Sequence, residues 1–203
     1  MVRRSLLTAA LIVVAVLLAP AIPAAGAADP TALISNLGSR ALEVLGKDAT
    51  QSQRVERFRQ LLREDFDIPG IARFVLGRYW NIATEEQRTE FTKLFENYIA
   101  IAYATRLAEY TGEKFKVTGS RRDADGAIVT SQIVRPQGAA PVKVDWRLTG
   151  RDGAYKISDV SVDGISMAVT QRSEFASVIQ HNGGQVQGLL TMLREKTAAS
   201  AAR

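Results

Sequence analysis

The spacing of apolar residues changes period twice along this chain, and that change limits the fold more than any single motif. From Leu33 to Leu107, apolar side chains recur every three or four positions. From Lys114 to Val162 they tend to alternate, and from Met167 to Leu193 the longer spacing returns. A period near 3.6 lines one face of a helix, and a period of 2 lines one face of a strand. Helices, then an antiparallel meander, then helices is an α+β order. The expected architecture is a curved four-stranded antiparallel sheet covered by N- and C-terminal helices, with an apolar cavity between the layers.

The element boundaries follow from local signals. Leu33, Leu37, Ala41 and Leu45 mark a first helix that ends at Gly46. Val55, Phe58, Leu61 and Leu62 mark a second, over Gln53 to Phe66. Asp67 ahead of Ile68-Pro69-Gly70 reads as an N-cap with proline in the first turn of a short helix ending at Gly77. Thr84-Glu85-Glu86-Gln87 is a capping box that opens the longest helix, running to about Tyr110. Four strands are expected, over Lys114–Gly119, Ala127–Arg135, Val142–Thr149 and Tyr155–Val162. Asp125-Gly126, Pro136-Gln137-Gly138 and Asp152-Gly153 supply the turns. Tyr155 and Ile157 fall out of phase with Val160 and Val162, which predicts a bulge near Ser158-Asp159. Two helices follow, parted by Gly183-Gly184, and the tail from Thr197 to Arg203 is expected to fray.

The first 27 residues are expected to be a cleaved secretory signal. Arg3 and Arg4 precede an apolar run from Leu6 to Leu18, and Ala25-Gly26-Ala27 reads as a small-x-small cleavage site. Residues 28–203 then form a single domain in the periplasm. Excluding Arg3 and Arg4 from the 26 basic residues leaves 24 against 21 acidic ones, a net charge of +3. That balance is too mild, and its arginines too interleaved with acids, for a nucleic-acid footprint.

The chain has no cysteine and one histidine, His181. Disulfides, thiol nucleophiles and thiolate metal sites are therefore excluded, and no His-rich metal cluster is available. No phosphate-binding glycine loop, G-x-S-x-G elbow or H-E-x-x-H pair occurs. Ser173 and His181 sit two helical turns apart, too far for a direct hydrogen bond. Asp145, Asp159 and Asp163 read as surface carboxylates. No catalytic residue, metal ligand or cofactor is expected.

The chain does carry a surplus of large apolar side chains on two elements. The long helix offers Phe91, Phe95, Tyr98, Ile99 and Tyr103; the sheet offers Val144, Trp146 and Leu148, with Met167 at the start of the next helix. Spacing alone leaves open whether these residues fill a core or line a cavity, since both need apolar walls.

Several segments carry a resemblance. They are Phe66-Asp67-Ile68-Pro69-Gly70-Ile71-Ala72-Arg73 with Leu76-Gly77-Arg78-Tyr79-Trp80, the stretch Thr84–Tyr110, and Val144-Asp145-Trp146-Arg147-Leu148. Tyr155-Lys156-Ile157-Ser158-Asp159-Val160, Gly164-Ile165-Ser166-Met167, and Arg172-Ser173-Glu174-Phe175 followed by Gly183-Gly184 complete the set. In their order and spacing the mature chain resembles the MlaC/toluene-tolerance family of periplasmic lipid carriers.

The resemblance implies a lipid carrier that shuttles between outer and inner membranes and serves outer-membrane lipid asymmetry. It implies acyl chains inserted between sheet and helices, against the nine apolar residues just named, with Arg147 a weak head-group candidate. The implied cargo is a phospholipid or, as in relatives tied to hopanoid synthesis, a polycyclic lipid. The implied partners are an inner-membrane ABC transporter with an MCE-domain protein and an outer-membrane lipoprotein–porin complex; the chain itself is expected to be a monomer. Two other readings stay open. One is a small enzyme using an Asp acid/base on a hydrophobic substrate. The other is a periplasmic adaptor that binds no lipid.

Overall fold

The computed structural model describes residues 29–44, 49–107, 112–151 and 154–201. The expected signal segment, the Leu45-Gly46 helix end, Tyr110 and the Asp152-Gly153 turn lie outside these residues. The helices are α1 (Pro30–Val44), α2 (Gln51–Asp65), α3 (Ile68–Leu76), α4 (Glu85–Leu107), α5 (Met167–His181) and α6 (Val186–Ala201). The strands are β1 (Lys114–Asp123), β2 (Gly126–Val134), β3 (Val142–Arg151), β4 (Ala154–Val162) and β5 (Ile165–Ser166). The chain is α+β, as its periodicity requires.

Side-chain caps set the helix starts. The Thr84 hydroxyl accepts from the Gln87 N–H at 3.2 Å, and the Gln87 side chain accepts from the Thr84 N–H at 3.1 Å. Thr50 and Gln53 make the same reciprocal pair at 3.2 and 2.9 Å, so α2 begins two residues before its apolar spacing suggests. Asp67 caps α3 by accepting from the Gly70 N–H at 3.1 Å. Ser166 caps α5 by accepting from the Val169 N–H at 3.1 Å. Asp159 on β4 supports that cap, accepting from the Ser166 hydroxyl at 2.6 Å and the Ala168 N–H at 3.1 Å.

The sheet is an antiparallel meander in the order β1-β2-β3-β4-β5. Between Arg147↔Asp159 and Leu148↔Ile157 the register shifts, leaving Ser158 as the extra residue of the bulge. A second irregularity falls between Val117 and Gly119. Among the described residues there are five strands where four were expected. Asp163 and Gly164 both adopt positive φ, 47° and 84°, forming a two-residue turn that folds Ile165-Ser166 back onto β4. A strand of two residues is too short to register as alternation. The tail also differs from expectation. Thr197 is buried and its hydroxyl donates to the Leu193 carbonyl at 2.9 Å, so α6 continues to Ala201.

Elements α1, α2, α3 and α5 carry the main contacts to the sheet, while α4 rests on α2, α3 and α6. Close approach of α1 to β1 depends on Gly38: a Cβ there would stand 2.3 Å from the Phe115 ring. The α2–α3 corner is tied to the edge of β4. Phe66 forms a parallel bridge with Ile157, and the Asp67 N–H donates to the Ile157 carbonyl at 2.9 Å.

Gly70 and Asp67 make a test of the α3 cap. A Cβ at Gly70 would sit 2.1 Å from the Asp67 carboxylate. Asp67→Ala should cost about 1 kcal/mol by removing the cap. Gly70→Ala should destabilise the native protein, yet stabilise the Asp67→Ala background by up to about 1 kcal/mol, since alanine is then free to express its helix preference. Urea unfolding of the four proteins in the cycle measures both.

Candidate functional site

Apolar side chains in a domain of this size normally form one contiguous core. Among the described residues, the buried ones form three clusters. The largest is helical and joins α3, α4, α5 and α6 around Phe91, Phe95 and Phe175. The second lines the sheet, with Ile34 and Leu37 of α1 and Leu61 of α2 against Val129, Leu148 and Ile157. The third is small, holding Leu62, Ile68 and Ala100. Half-buried side chains join them. Phe58 and Phe66 pack against both the sheet cluster and the small cluster, and Ile99 packs against both the small cluster and the helical one.

The seam between helices and sheet is thus built of rings that stay partly exposed. Tyr103 stacks on Phe58 with centroids 6.4 Å apart and planes at 15°. Trp146 meets Phe115 edge-on at 6.2 Å, and its indole N–H donates to the buried Ser131 hydroxyl at 2.8 Å. Along α4, no residue from Glu96 to Ala104 is fully exposed on any face. That helix is enclosed by neighbours while several of its side chains keep free surface.

The nine predicted lining residues divide accordingly. Phe91 and Phe95, 0% and 3% exposed, fill the helical cluster. Their rings meet Phe175 edge-on at 5.8 and 6.2 Å. Val144 and Leu148, 3% and 1% exposed, are filled in on the sheet. Tyr98, Ile99, Tyr103, Trp146 and Met167 are half-buried. The structure does not gather Phe91 and Phe95 into one cluster with Trp146 and Leu148. Arg147 alternates to the opposite face from Trp146 and Leu148, where it ion-pairs with Asp123.

Phe58 and Phe66 are the seam residues that sequence reasoning left out. Phe58 stands on the apolar stripe of α2 and Phe66 directly precedes the Asp67 cap. Their positions were visible, but nothing in the spacing says that α2 packs on α4 while touching β4.

A separate cleft of about 600 Å³ runs along α4 between Gln51 of α2 and Lys196 of α6. Its size suits a ligand. Its lining surface is mostly apolar, and of the nine predicted residues only Tyr98 contributes to it. Its α4 residues Ile101, Ala102 and Thr105 lie on the stripe beside that of Ile99 and Tyr103, and Arg106 touches both, lining the cleft and lying 5.5 Å from the Tyr103 ring centroid. The aromatic seam holds more of the predicted residues, with Ile99, Tyr103 and Trp146 half-buried there.

Electrostatics at the seam centre on Tyr103. Burial pushes its pKa above the ordinary 10.0; Arg106 pulls it down, and Tyr98, Glu174 and Asp159 add to the rise. The carboxylates singled out from the sequence have structural work elsewhere. Asp159 holds the α5 cap, Asp163 accepts from the Lys143 N–H at 2.9 Å, and Asp145 accepts from the Thr130 hydroxyl at 2.6 Å. The Ser173 hydroxyl donates to the Val169 carbonyl at 3.1 Å, and His181 Nδ1 lies 2.8 Å from the Ser177 carbonyl oxygen. No group of three or more acidic or histidine side chains suited to a metal occurs among the described residues.

An α+β domain whose apolar interior is parted by half-buried aromatic rings has the form of a binding protein for a large apolar ligand. The comparisons agree in kind. A phospholipid-binding protein from Ralstonia solanacearum, solved in complex with a phospholipid, superposes with a TM-score of 0.71 at 25% identity. That match covers 86% of this chain and 99% of the other. The chain belongs to the MlaC protein family, whose model matches residues 36–195. Relatives include the intermembrane phospholipid transport system binding protein MlaC of Haemophilus influenzae, 25% identical over 61% of this chain. The toluene tolerance protein ttg2D of Pseudomonas putida is 26% identical over 59% of it. The matches span 59% and 56% of those relatives' own lengths.

Two measurements separate core from seam. Phe91→Ala should cost about 3–5 kcal/mol in urea unfolding, whereas Phe58→Ala should cost clearly less because its ring is already partly exposed. For Tyr103, a folded pKa raised above the unfolded value means that ionisation favours unfolding. Its contribution is fully present below pH 10.0 and is lost as pH rises through the folded value. Tyr103→Phe should therefore remove part of the fall in melting temperature seen on alkaline titration.

Proposed function

We propose that this chain is a periplasmic phospholipid carrier. It holds acyl chains in the seam between the sheet and the α2–α4 layer and leaves the polar head in water. The observation that carries the reading is the divided interior, with half-buried Phe58, Phe66, Tyr103 and Trp146 between its parts. Membership in the MlaC family and likeness to a protein solved with a phospholipid support it.

The physics requires such a shelter. Each buried methylene contributes about 0.8 kcal/mol, so an acyl chain of about 16 carbons resists transfer to water by on the order of 10 kcal/mol. Covering that surface needs no acid, base or nucleophile. Among the described residues no helix is long and apolar enough to cross a membrane, and the N-terminal pattern reads as an export signal. The finer part of the proposal is the route. A monomer exchanges lipid with an outer-membrane lipoprotein–porin complex and with an inner-membrane ABC transporter carrying an MCE-domain protein.

The test is mass spectrometry of lipid extracted from protein purified from periplasm without detergent. About one phospholipid per chain is expected. A polycyclic lipid in its place would move the cargo class, and no lipid above background would sink the reading in favour of an adaptor. Trp146→Asp should retain secretion and far-UV circular dichroism but lose most of the bound lipid. Wild-type lipid content in that folded variant would remove Trp146 from the seam.

A further inference from the structure

Arg54 on α2 carries a buried nitrogen with nothing to bond. Its Nε makes no hydrogen bond, and the side chain has no ion pair among the described residues. Its neighbours on the same helix are committed: Arg59 to Glu56 and Asn97, and Arg63 to Glu96. A buried guanidinium N–H is normally paired, because a charged donor is costly to bury unmet. Positions 54, 58, 61 and 65 share one face of α2. That face sets Phe58 and Leu61 against the sheet cluster. Asp65, the acid on it, lies about 16 Å along the helix and is paired with Arg40. Arg54 thus stands as an unpaired cation at the N-terminal end of the stripe that faces the seam.

A second arginine stands at the same end. Helices α2 and α4 run antiparallel, since Gln51 meets Thr105 at 2.9 Å and Arg63 meets Glu96 at 2.7 Å. Between those contacts Phe58 stacks on Tyr103, with centroids 6.4 Å apart. Arg54 comes one turn before Phe58 and Arg106 one turn after Tyr103, so both are displaced from the ring stack in the same direction. The Arg106 guanidinium lies 5.5 Å from the Tyr103 centroid and has no acid paired with it among the described residues. On that side runs the cleft lined by Gln51, Arg106 and Lys196, and no acidic side chain lines it. Two cations therefore mark the place where the aromatic seam gives way to the cleft.

The fitting partner is an anion with several acceptor oxygens, attached to an apolar tail that the seam can cover. A planar guanidinium matches the oxygens of a phosphate. Arg147, the head-group candidate that the resemblance implied, lies on the far face of the sheet and is paired with Asp123. We propose that Arg54, with Arg106 at the same end of the ring stack, holds the phosphate of the bound lipid, while the rest of the head stays in water. This rests on the carrier reading and gives it a head-group site.

The experiment dialyses delipidated protein against two lipids with the same single chain, each below its micelle concentration. One is dodecanoyl glycerophosphoglycerol; the other is monododecanoylglycerol, which lacks the phosphate. Mass spectrometry of the bound fraction gives both affinities. A hydrogen bond to a charged group is worth about 10-fold or more in binding, and wild type should prefer the phosphate-bearing lipid by at least that factor. Arg54→Met should lose about 10-fold for the phosphate-bearing lipid while holding the neutral one as wild type does, and Arg106→Gln should show the same selective loss. Delipidated Arg54→Met should melt at or above the wild-type temperature, because a buried unmet donor has been removed. A lower melting temperature makes Arg54 a structural residue and overturns the proposal. Equal loss of both lipids in Arg54→Met also overturns it. Chain-free glycerophosphoglycerol bound as tightly as the lipid overturns it in favour of a site for free phosphate esters. Uptake of neither lipid by wild type overturns the carrier reading, and the arginine assignment with it. Uptake of both without preference overturns the assignment alone.

Discussion

One backbone hydrogen bond, from the Asp67 N–H to the Ile157 carbonyl, fixes how the helices meet the sheet. With the Phe66–Ile157 bridge it ties the α2–α3 corner to the edge of β4. Two residues further on, Asp159 ties the start of α5 to the same strand. A hydrogen bond of this type contributes only about 1 kcal/mol net, yet these two anchors decide the layout. Once both helical segments depart from β4, α4 must rest on α2 and α6. The half-buried rings of Phe58 and Phe66 then join the sheet cluster to the small cluster.

What the sequence disclosed follows from what periodicity measures. The Thr84 box, the Asp67 cap, the alternation of β3 and the extra residue at Ser158 are all local, and all were legible. Spacing reports which face of an element is apolar. It does not report what that face meets. Phe91, Phe95, Ile99 and Tyr103 share α4, yet the first two fill a helical core while the last packs on Phe58 of α2. The choice is made by contacts between residues 45 positions apart in the chain, such as Phe58 with Tyr103, which no local pattern encodes. The short β5 strand and the continuation of α6 were missed for smaller reasons. A two-residue strand has no period, and the buried Thr197 reads in sequence as a polar tail residue.

The same contrast accounts for the polar groups. Of the carboxylates that look free on alternating strands, Asp159 is committed to a helix cap, Asp163 to a backbone N–H beside a turn, and Asp145 to the Thr130 hydroxyl across the sheet. Arg147 lies on the sheet face opposite Trp146, paired with Asp123. The inward-facing polar atoms are few, and Ser131 with Trp146 forms a closed pair. A seam built this way discriminates by shape, depth and a small number of donors.

A parted core has a thermodynamic consequence. Ligand that binds the folded but not the unfolded chain stabilises the fold by mass action. Where the ligand also supplies apolar surface between two layers, cargo acts as a removable piece of the protein's own interior. A chain of this kind, once unloaded, would stand in a higher free-energy state with rings exposed across the seam, and reloading would recover the difference. With no cysteine to cross-link the layers, their spacing can relax between these states. On the carrier reading, the melting temperature of this protein is a gauge of its load, and the work of extracting a lipid is shared between water and the fold.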